Sequence, residues 1–178
     1  MFNRIARYEE HGFGLPYPVV ILNAVEEELD EKGARVGVRI PNIEGLAAAV
    51  ALGRCFDPYE LGGAEVRFLR RTLGYTQKEL AGHLEIRPET LSRWEGRKEN
   101  ADQRPVGEWA DKALRMLAVL DLAPRVPGVT VDPKSITGLR IRLRNPNQWP
   151  TLTAEQVIVK TDSHKRYEWD AVHLPMAA

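Results

Sequence analysis

The sequence has almost no cysteine, since Cys55 is the only one in 178 residues. A single cysteine excludes an intrachain disulfide, and one cysteine with four scattered histidines does not supply the ligand set of a zinc finger. We therefore expect no metal ion and no cofactor. This cysteine usage is typical of a reducing compartment.

Long apolar runs are also missing. The longest, residues 46–52, is far too short to cross a bilayer, and the first residues, MFNRIARYEEHG, contain no signal-peptide hydrophobic region. The expected location is the cytoplasm, without membrane association.

Sequence motifs of catalysis are scarce. The glycines around Phe13 lack the strand-to-helix context and the third glycine of a dinucleotide loop, and the chain has no HExxH, GxSxG or paired cysteines. The carboxylates of residues 26–31 are interpreted as a solvated turn. An enzyme is not expected.

The formal net charge is zero, but the charge is unevenly distributed. Residues 1–60 hold six Lys/Arg against ten Asp/Glu, and residues 61–178 hold nineteen against fifteen. Such a mild excess is compatible with a polyanionic partner and does not by itself indicate one.

The pattern predicts an α+β protein made of three segments. Residues 1–60 form a ββα unit for dimerisation or partner binding, with strands over 16–23 and 34–40 and a helix over 43–56 that Asn42 caps. Residues 61–124 are predicted to form an all-α bundle of four to five helices. Residues 125–178 form an extension of antiparallel β-strands.

Three short helices are predicted in the central segment. The first ends at Gly74, the second begins at a capping box made by Thr76 and Glu79, and the third begins at Pro88. His83 is expected on the exposed side of the second helix. A longer helix from near Pro105 carries an apolar stripe, which covers either the bundle or a partner subunit: Val106, Trp109, Ala113, Leu117 and Leu120.

Tryptophans at helical spacing usually belong to the core, so Trp94 and Trp109 are predicted to be buried.

Strict alternation in the segment TGLRIRLRNPN predicts a strand. Its two faces are formed by Leu139, Ile141 and Leu143 and by Arg140, Arg142 and Arg144. The arginine face is either solvated, which is favoured, or a second contact with a DNA backbone. Residues 145–147 are predicted as a turn, and EQVIVKT and KRYEWDAVHL as further strands.

A connection of about three residues between the second and third helices leaves the outer side of the third helix free to enter a DNA major groove. The residues TQKELA at 76–81 and TLSRWE at 90–95 resemble the helix-turn-helix domain of the Xre (Cro/cI-type) repressor family, and this resemblance covers residues 64–122. It implies that residues 61–124 are a helix-turn-helix domain that binds DNA. The segment LGGAEVRFLRRTLGYTQKELA followed by LSRWE is also similar to MqsA-type antitoxins and related regulators. Their cysteine-pair zinc site is absent from this sequence, so zinc binding is not carried over.

The resemblance implies a role for individual residues. Base reading is implied for Glu89, Thr90 and Arg93, and a partly buried positioning ion pair for Arg70 and Glu95. Many family members have glycine where Glu85 stands. DNA phosphate contacts are expected from Thr76, Gln77, Lys78, Arg87, Ser92, Arg97, Lys98 and Asn100.

The resulting expectation is a sequence-specific transcriptional regulator, a homodimeric autorepressor that binds a double-stranded operator with an inverted repeat. An alternative is an antitoxin whose main role is to bind a toxin protein, with autorepression as feedback. A ligand-responsive repressor is a third alternative, for which the sequence defines no pocket.

Overall fold

The computed structural model describes residues 2–96, 106–126, 132, 134–144, 149–161 and 164–170. Within these residues the chain is a mixed α+β protein, which confirms the predicted class. The described part contains one five-stranded sheet and six α-helices.

The five strands come from both ends of the chain. They are β1 (Phe2–Glu10), β2 (Val19–Leu29), β3 (Arg35–Arg39), β4 (Leu152–Thr161) and β5 (His164–Asp170). The long strand β2 pairs with β1 in antiparallel fashion, with β3 in antiparallel fashion near its end, and with β4 in parallel fashion near its start. Strand β5 pairs with β4 in antiparallel fashion. The first and last of the three predicted segments therefore share one sheet.

The N-terminal part differs from the predicted ββα unit in two respects. Strand β1 was not predicted, and β2 continues to Leu29 through the acidic residues that were interpreted as a turn. Glu26 lies opposite Arg4 of β1 and Arg39 of β3 in the register of the sheet. Opposite charges on neighbouring strands stabilise the pairing, which explains how an acidic run remains extended.

The helices are α1 (Ile43–Phe56), α2 (Gly63–Leu73), α3 (Gln77–His83), α4 (Pro88–Gly96), α5 (Glu108–Leu122) and α6 (Lys134–Gly138). Asn42 caps α1 as predicted, because its Oδ1 accepts a hydrogen bond of 3.1 Å from the backbone N–H of Gly45. Helix α1 packs against β4 and β5 and also against α2 and α5. Trp169 of β5 is buried and donates from Nε1 to the carbonyl of Asn42 over 2.8 Å. The sheet and the helices consequently share a core around α1.

The predicted stripe faces inward only in part. Val106 is buried, and Ala113 and Leu117 of α5 are partly buried against the core. Trp109 is 69% exposed and Leu120 is 58% exposed, so the prediction of a buried Trp109 is wrong. Ala110, Leu114 and Ala118 face the core instead. Asp111 and Arg115 are buried on the same side, and their hydrogen bonds to the chain between α1 and α2 hold that side inward. Trp94 is partly buried against the core.

Residues 139–144 do not form the predicted strand. Arg142 makes a single parallel bridge to Tyr59, in which its N–H donates to the carbonyl of Pro58 over 2.9 Å and its carbonyl accepts from Glu60 over 3.0 Å. The alternation is lost because Leu139 and Arg144 turn inward whereas Leu143 is 63% exposed. The predicted turn at 145–147 lies outside the described residues. Strands β4 and β5 confirm that the two following segments are extended and antiparallel to each other, although β4 also pairs with β2 in parallel fashion. Residues 171–174 of the second segment lie outside the described residues.

Within the described residues, no helix has both the length and the apolar character needed to cross a membrane.

Candidate functional site

Helix α3 begins at the predicted capping box. The hydroxyl of Thr76 accepts from the backbone N–H of Glu79 over 3.2 Å, and the carboxylate of Glu79 accepts from the backbone N–H of Thr76 over 2.7 Å. Hydrogen bonding of the Glu79 carboxylate to the backbone N–H of Thr76, and second to the Thr76 side chain, lowers the pKa of Glu79. The first turn of α3 is thereby fixed at the surface, since both residues are exposed.

The connection between α3 and α4 is closed by backbone hydrogen bonds around Glu85. This residue adopts a left-handed conformation, with φ of 53°, where many members of the resembled family have glycine. The N–H of Ile86 donates to the carbonyl of Ala81 over 3.0 Å, and the N–H of Glu85 donates to the carbonyl of Gly82 over 3.2 Å. This pair of bonds forms a Schellman motif, which ends α3 sharply even without glycine.

Helix α4 has one buried and one exposed side. Leu91 and Glu95 are buried, and both lie on the side that faces α2 and α3. The outer side exposes Glu89, Ser92 and Arg93. Two of the predicted base-reading residues, Glu89 and Arg93, therefore have exposed side chains.

Thr90 is partly buried at the edge of that side. Its hydroxyl oxygen lies 3.4 Å from Nη2 of Arg93, one helical turn further along α4. This weak hydrogen bond orients the guanidinium along the helix surface.

Glu95 joins α4 to both neighbouring helices. Arg70 of α2 donates from Nε and Nη2 to the two carboxylate oxygens of Glu95, over 2.6 and 3.0 Å, and the amide of Gln77 donates to the carboxylate over 2.9 Å. The structure thus brings Arg70 and Glu95 together in the bidentate geometry of a strong ion pair. Arg67 adds a hydrogen bond to the backbone carbonyl of Glu95.

The pKa of Glu95 is set by opposing effects. Burial by itself raises this pKa, but the hydrogen bonds from Arg70 and Gln77 and the charges of Arg70 and Arg67 lower it below its usual value. Glu95 is therefore a carboxylate at neutral pH, and α2, α3 and α4 are held as one unit.

The predicted phosphate-contacting residues differ in how their side chains are used. One N–H of the Gln77 side-chain amide donates to Glu95, so the second N–H of this amide and the backbone N–H at the start of α3 are the donors for the expected role. Arg97, Lys98 and Asn100 lie outside the described residues. The remaining four are exposed: Thr76, Lys78, Arg87 and Ser92.

A close backbone approach that sequence reasoning missed links α2 to α4. A Cβ atom on Gly63 would lie 2.2 Å from the carbonyl oxygen of Trp94, well inside contact distance. Only glycine allows the first turn of α2 to meet the last turn of α4 at this separation. The sequence signal is the Gly62–Gly63 pair at which the helix begins.

A second buried carboxylate, Glu65 in the first turn of α2, was also missed. It accepts from the hydroxyl of Tyr17 over 2.7 Å, from Nε of Arg54 over 2.5 Å and from Nη2 of Arg144 over 2.8 Å. The backbone N–H of Gly62 donates to it over 2.7 Å. Glu65 therefore gathers donors from the start of β2, the end of α1 and the segment after α6.

Burial by itself raises the pKa of Glu65, but the charge of Arg54, its hydrogen bonds and the charge of Arg144 lower it to about 2. The same environment raises the pKa of Tyr17, by burial first and by the charge of Glu65 second. Glu65 is thus ionised and Tyr17 is neutral over the physiological range.

Metal binding is not indicated by the described residues, among which no group of three His, Cys, Asp or Glu side chains is arranged to hold an ion.

No protein-family model matches the chain, and neither the curated proteins nor the solved structures contain a match.

Proposed function

We propose that this chain is a sequence-specific DNA-binding transcriptional regulator, which uses α3 and α4 as a helix-turn-helix and inserts α4 into the major groove. The observation that carries the proposal is the outer side of α4, which exposes Glu89 and Arg93 while Glu95 anchors the opposite side to α2 and α3. A helix that is held rigidly on one side and polar on the other has the form that groove insertion requires.

The side chains on the outer side of α4 are suited to reading base edges. The guanidinium of Arg93 matches the O6 and N7 acceptors of guanine, and the carboxylate of Glu89 matches the N4 donor of cytosine. Glu89 also repels phosphates, so it contributes specificity at the expense of general affinity. Thr90 offers a methyl group and a hydroxyl between these two residues.

Phosphate contacts are proposed at the start of α3 and around α4. Thr76 and Lys78 are exposed in the capped first turn of α3, the part that meets the DNA backbone when the following helix lies in the groove. Arg87 and Ser92 are exposed near the beginning and the middle of α4. The family resemblance adds Gln77, Arg97, Lys98 and Asn100 to this proposed set.

A homodimer on an inverted repeat follows from the size of the reading surface. One helix reads only a few base pairs, whereas two copies on half-sites about one helical turn or more apart give useful specificity. Repression follows where the operator overlaps a promoter. The proposal places this activity in the cytoplasm.

The test is a fluorescence-anisotropy titration of the full chain against the DNA upstream of its own gene and against a shuffled fragment of equal composition, at two salt concentrations. The proposal expects tighter binding to the upstream fragment, with a remaining difference at the higher salt. Equal binding to both fragments at each salt concentration would contradict autoregulation through that DNA.

A second candidate function is that of an antitoxin that binds a toxin protein. The observation favouring it lies on β3, where Val36 is 62% exposed and Val38 is 38% exposed, two positions apart on one side of the strand. Exposed apolar side chains that share one side of a strand are typical of a partner surface.

Co-expression with the product of the neighbouring gene tests this second function. A stable complex in gel filtration, lost in a Val36→Lys/Val38→Lys double variant, is the expected result. Separate elution of the two chains would contradict it.

A further inference from the structure

Arg144 lies in the segment that the sequence predicted as a strand, yet its side chain is only 9% exposed. Its Nη2 donates to both carboxylate oxygens of Glu65, over 2.9 and 2.8 Å, and to the carbonyl of Glu60 over 3.1 Å. The arginine is therefore not part of a solvated face. It inserts into the junction between α1 and α2.

An aromatic pair encloses this arginine. The guanidinium of Arg144 lies 4.8 Å from the ring centre of Trp149, whose ring centre lies 5.6 Å from that of Tyr17. Tyr17 in turn donates to Glu65 over 2.7 Å. These four side chains form a closed ring, which we call the Arg144 clasp. It joins the start of β2, the start of α2 and the chain that leads into β4.

Glu65 shares its other guanidinium with a second carboxylate. Arg54 forms a two-point ion pair with Glu65, over 2.5 and 3.1 Å, and also pairs with Asp57 over 3.2 Å. Nε of Arg144 is buried without a hydrogen-bond partner among the described residues. A buried unpaired donor costs free energy, so the position of Arg144 is held by its other contacts.

The Arg144 clasp is connected to α4 through the first turn of α2. Glu65 lies two residues after Gly63, and Gly63 is the point at which the backbones of α2 and α4 touch. A shift in the first turn of α2 is therefore transmitted to the end of α4, because the two backbones are closely packed at Gly63.

We propose that Arg144 is a positioning residue for DNA recognition. It couples the segment before β4 to α4 through Glu65 and Gly63, so that the placement of this segment changes the affinity for the operator. This inference rests on the proposed DNA-binding function. It gives the C-terminal segment a role in regulation: a change that displaces residues 139–144 lowers operator affinity without touching α4.

The test compares Arg144→Met with Lys134→Met in the full chain. The methionine removes the charge of Arg144 at similar length, and Lys134 is an exposed cation of the same C-terminal region. We expect Arg144→Met to weaken operator binding about tenfold with an unchanged salt slope. Lys134→Met is expected to bind like the wild type. A loss that lowers the salt slope by about one would identify Arg144 as a phosphate contact and overturn the positioning role.

Hydrogen exchange of the free proteins supplies a readout that needs no DNA. In Arg144→Met the amides of α4 are expected to exchange about tenfold faster relative to those of β2, because the end of α4 is released. Unchanged exchange in α4 with a lower melting temperature would show that Arg144 is merely structural. A wild type that binds no DNA would refute the proposed function, whereas the exchange data would still test the clasp.

If Arg144→Met does not fold, Trp149→Leu takes its place. This change removes the ring over the guanidinium and keeps the ion pair, so a smaller shift in α4 exchange and in operator affinity is expected in the same direction. Wild-type exchange and affinity in a folded Trp149→Leu variant would overturn the proposal.

Discussion

Glu65 and Glu95 make similar contacts in different surroundings, and the difference separates what holds the fold together from what orients the candidate site. Each carboxylate accepts hydrogen bonds from at least one guanidinium, and the side chains are 0% and 3% exposed. Arg54 and Arg144 beside Glu65 are 0% and 9% exposed, whereas Arg70 and Arg67 beside Glu95 are 13% and 42% exposed. Loss of the Glu65 carboxylate therefore leaves buried guanidinium groups without their negative partner, whereas loss of the Glu95 carboxylate affects guanidinium groups that lie closer to water.

The largest effect is expected from Glu65→Gln. The change leaves Arg54 and Arg144 buried with one fewer negative charge, and the free energy of unfolding should fall by about 3–5 kcal/mol. Urea denaturation followed by circular dichroism measures it, with the exposed Glu28→Gln as a control that stays within about 0.5 kcal/mol. A loss below about 1 kcal/mol for Glu65→Gln would remove the distinction between the two carboxylates.

The close approach of the α2 and α4 backbones, which lies between Glu65 and Glu95, is tested by Gly63→Ala. Its methyl group meets the carbonyl of Trp94, so the free energy of unfolding should fall by about 2–3 kcal/mol. The matched control is Gly82→Ala in α3, where a Cβ has nothing within 4 Å. That control should stabilise the protein by up to about 1 kcal/mol, because alanine favours the helix. Equal effects of the two changes in thermal denaturation would refute the close approach.

Glu95→Gln should lower the free energy of unfolding less than Glu65→Gln does, and it should weaken operator binding more. Loss of the charge-assisted bonds from Arg70 and Gln77 is expected to lower the free energy of unfolding by about 1–2 kcal/mol, because Arg70 and Arg67 are more exposed than the arginines around Glu65. Operator binding should weaken while binding to shuffled DNA changes little, since α4 is no longer fixed on α2 and α3. Denaturation and anisotropy titrations of the same preparation give both values. A stability loss equal to that of Glu65→Gln would contradict the comparison.

The pH dependence of stability in the wild-type protein also distinguishes the two carboxylates. The pKa of Glu65 is about 2 in the folded chain, and that of an unfolded glutamate is near 4.5. The unfolded chain therefore binds a proton first as the pH falls, so the stability from Glu65 is complete above pH 4.5 and is lost between about pH 4.5 and 2. One such carboxyl contributes a slope of at most about 1.4 kcal/mol per pH unit.

Denaturation midpoints between pH 6 and 2 measure this slope. Glu65→Gln should show a shallower acid dependence than Glu95→Gln, because the Glu95 variant retains the lowered pKa of Glu65. The reverse order would mean that Glu95 is the more strongly stabilised carboxylate.

Local signals in the sequence predicted the elements around the candidate site well. The cap at Thr76 and Glu79, the start of α4 at Pro88 and the cap at Asn42 depend on residues within one helical turn. Such interactions are complete within a short stretch of sequence, so the pattern alone identifies them.

Long-range interactions account for the errors. Residues 139–144 alternate as a strand does, but Arg144 is drawn to Glu65, which lies 79 positions earlier in the chain. Trp109 has the spacing of a core residue, yet the buried pair of Asp111 and Arg115 turns the other side of α5 inward. Strand β1 was overlooked because charged side chains line it, and only its pairing with β2 reveals it.

The central claim, that the outer side of α4 reads bases, is tested most directly by comparing Arg93→Ala with Lys78→Ala in anisotropy titrations. Both variants are measured on the upstream DNA and on the shuffled fragment at two salt concentrations. Arg93→Ala should weaken binding to the upstream DNA by about 1–3 kcal/mol and relax the preference at one base pair. Lys78→Ala should weaken both fragments alike and lower the salt slope by about one. Equal losses on both fragments for Arg93→Ala would contradict the base-reading role of α4.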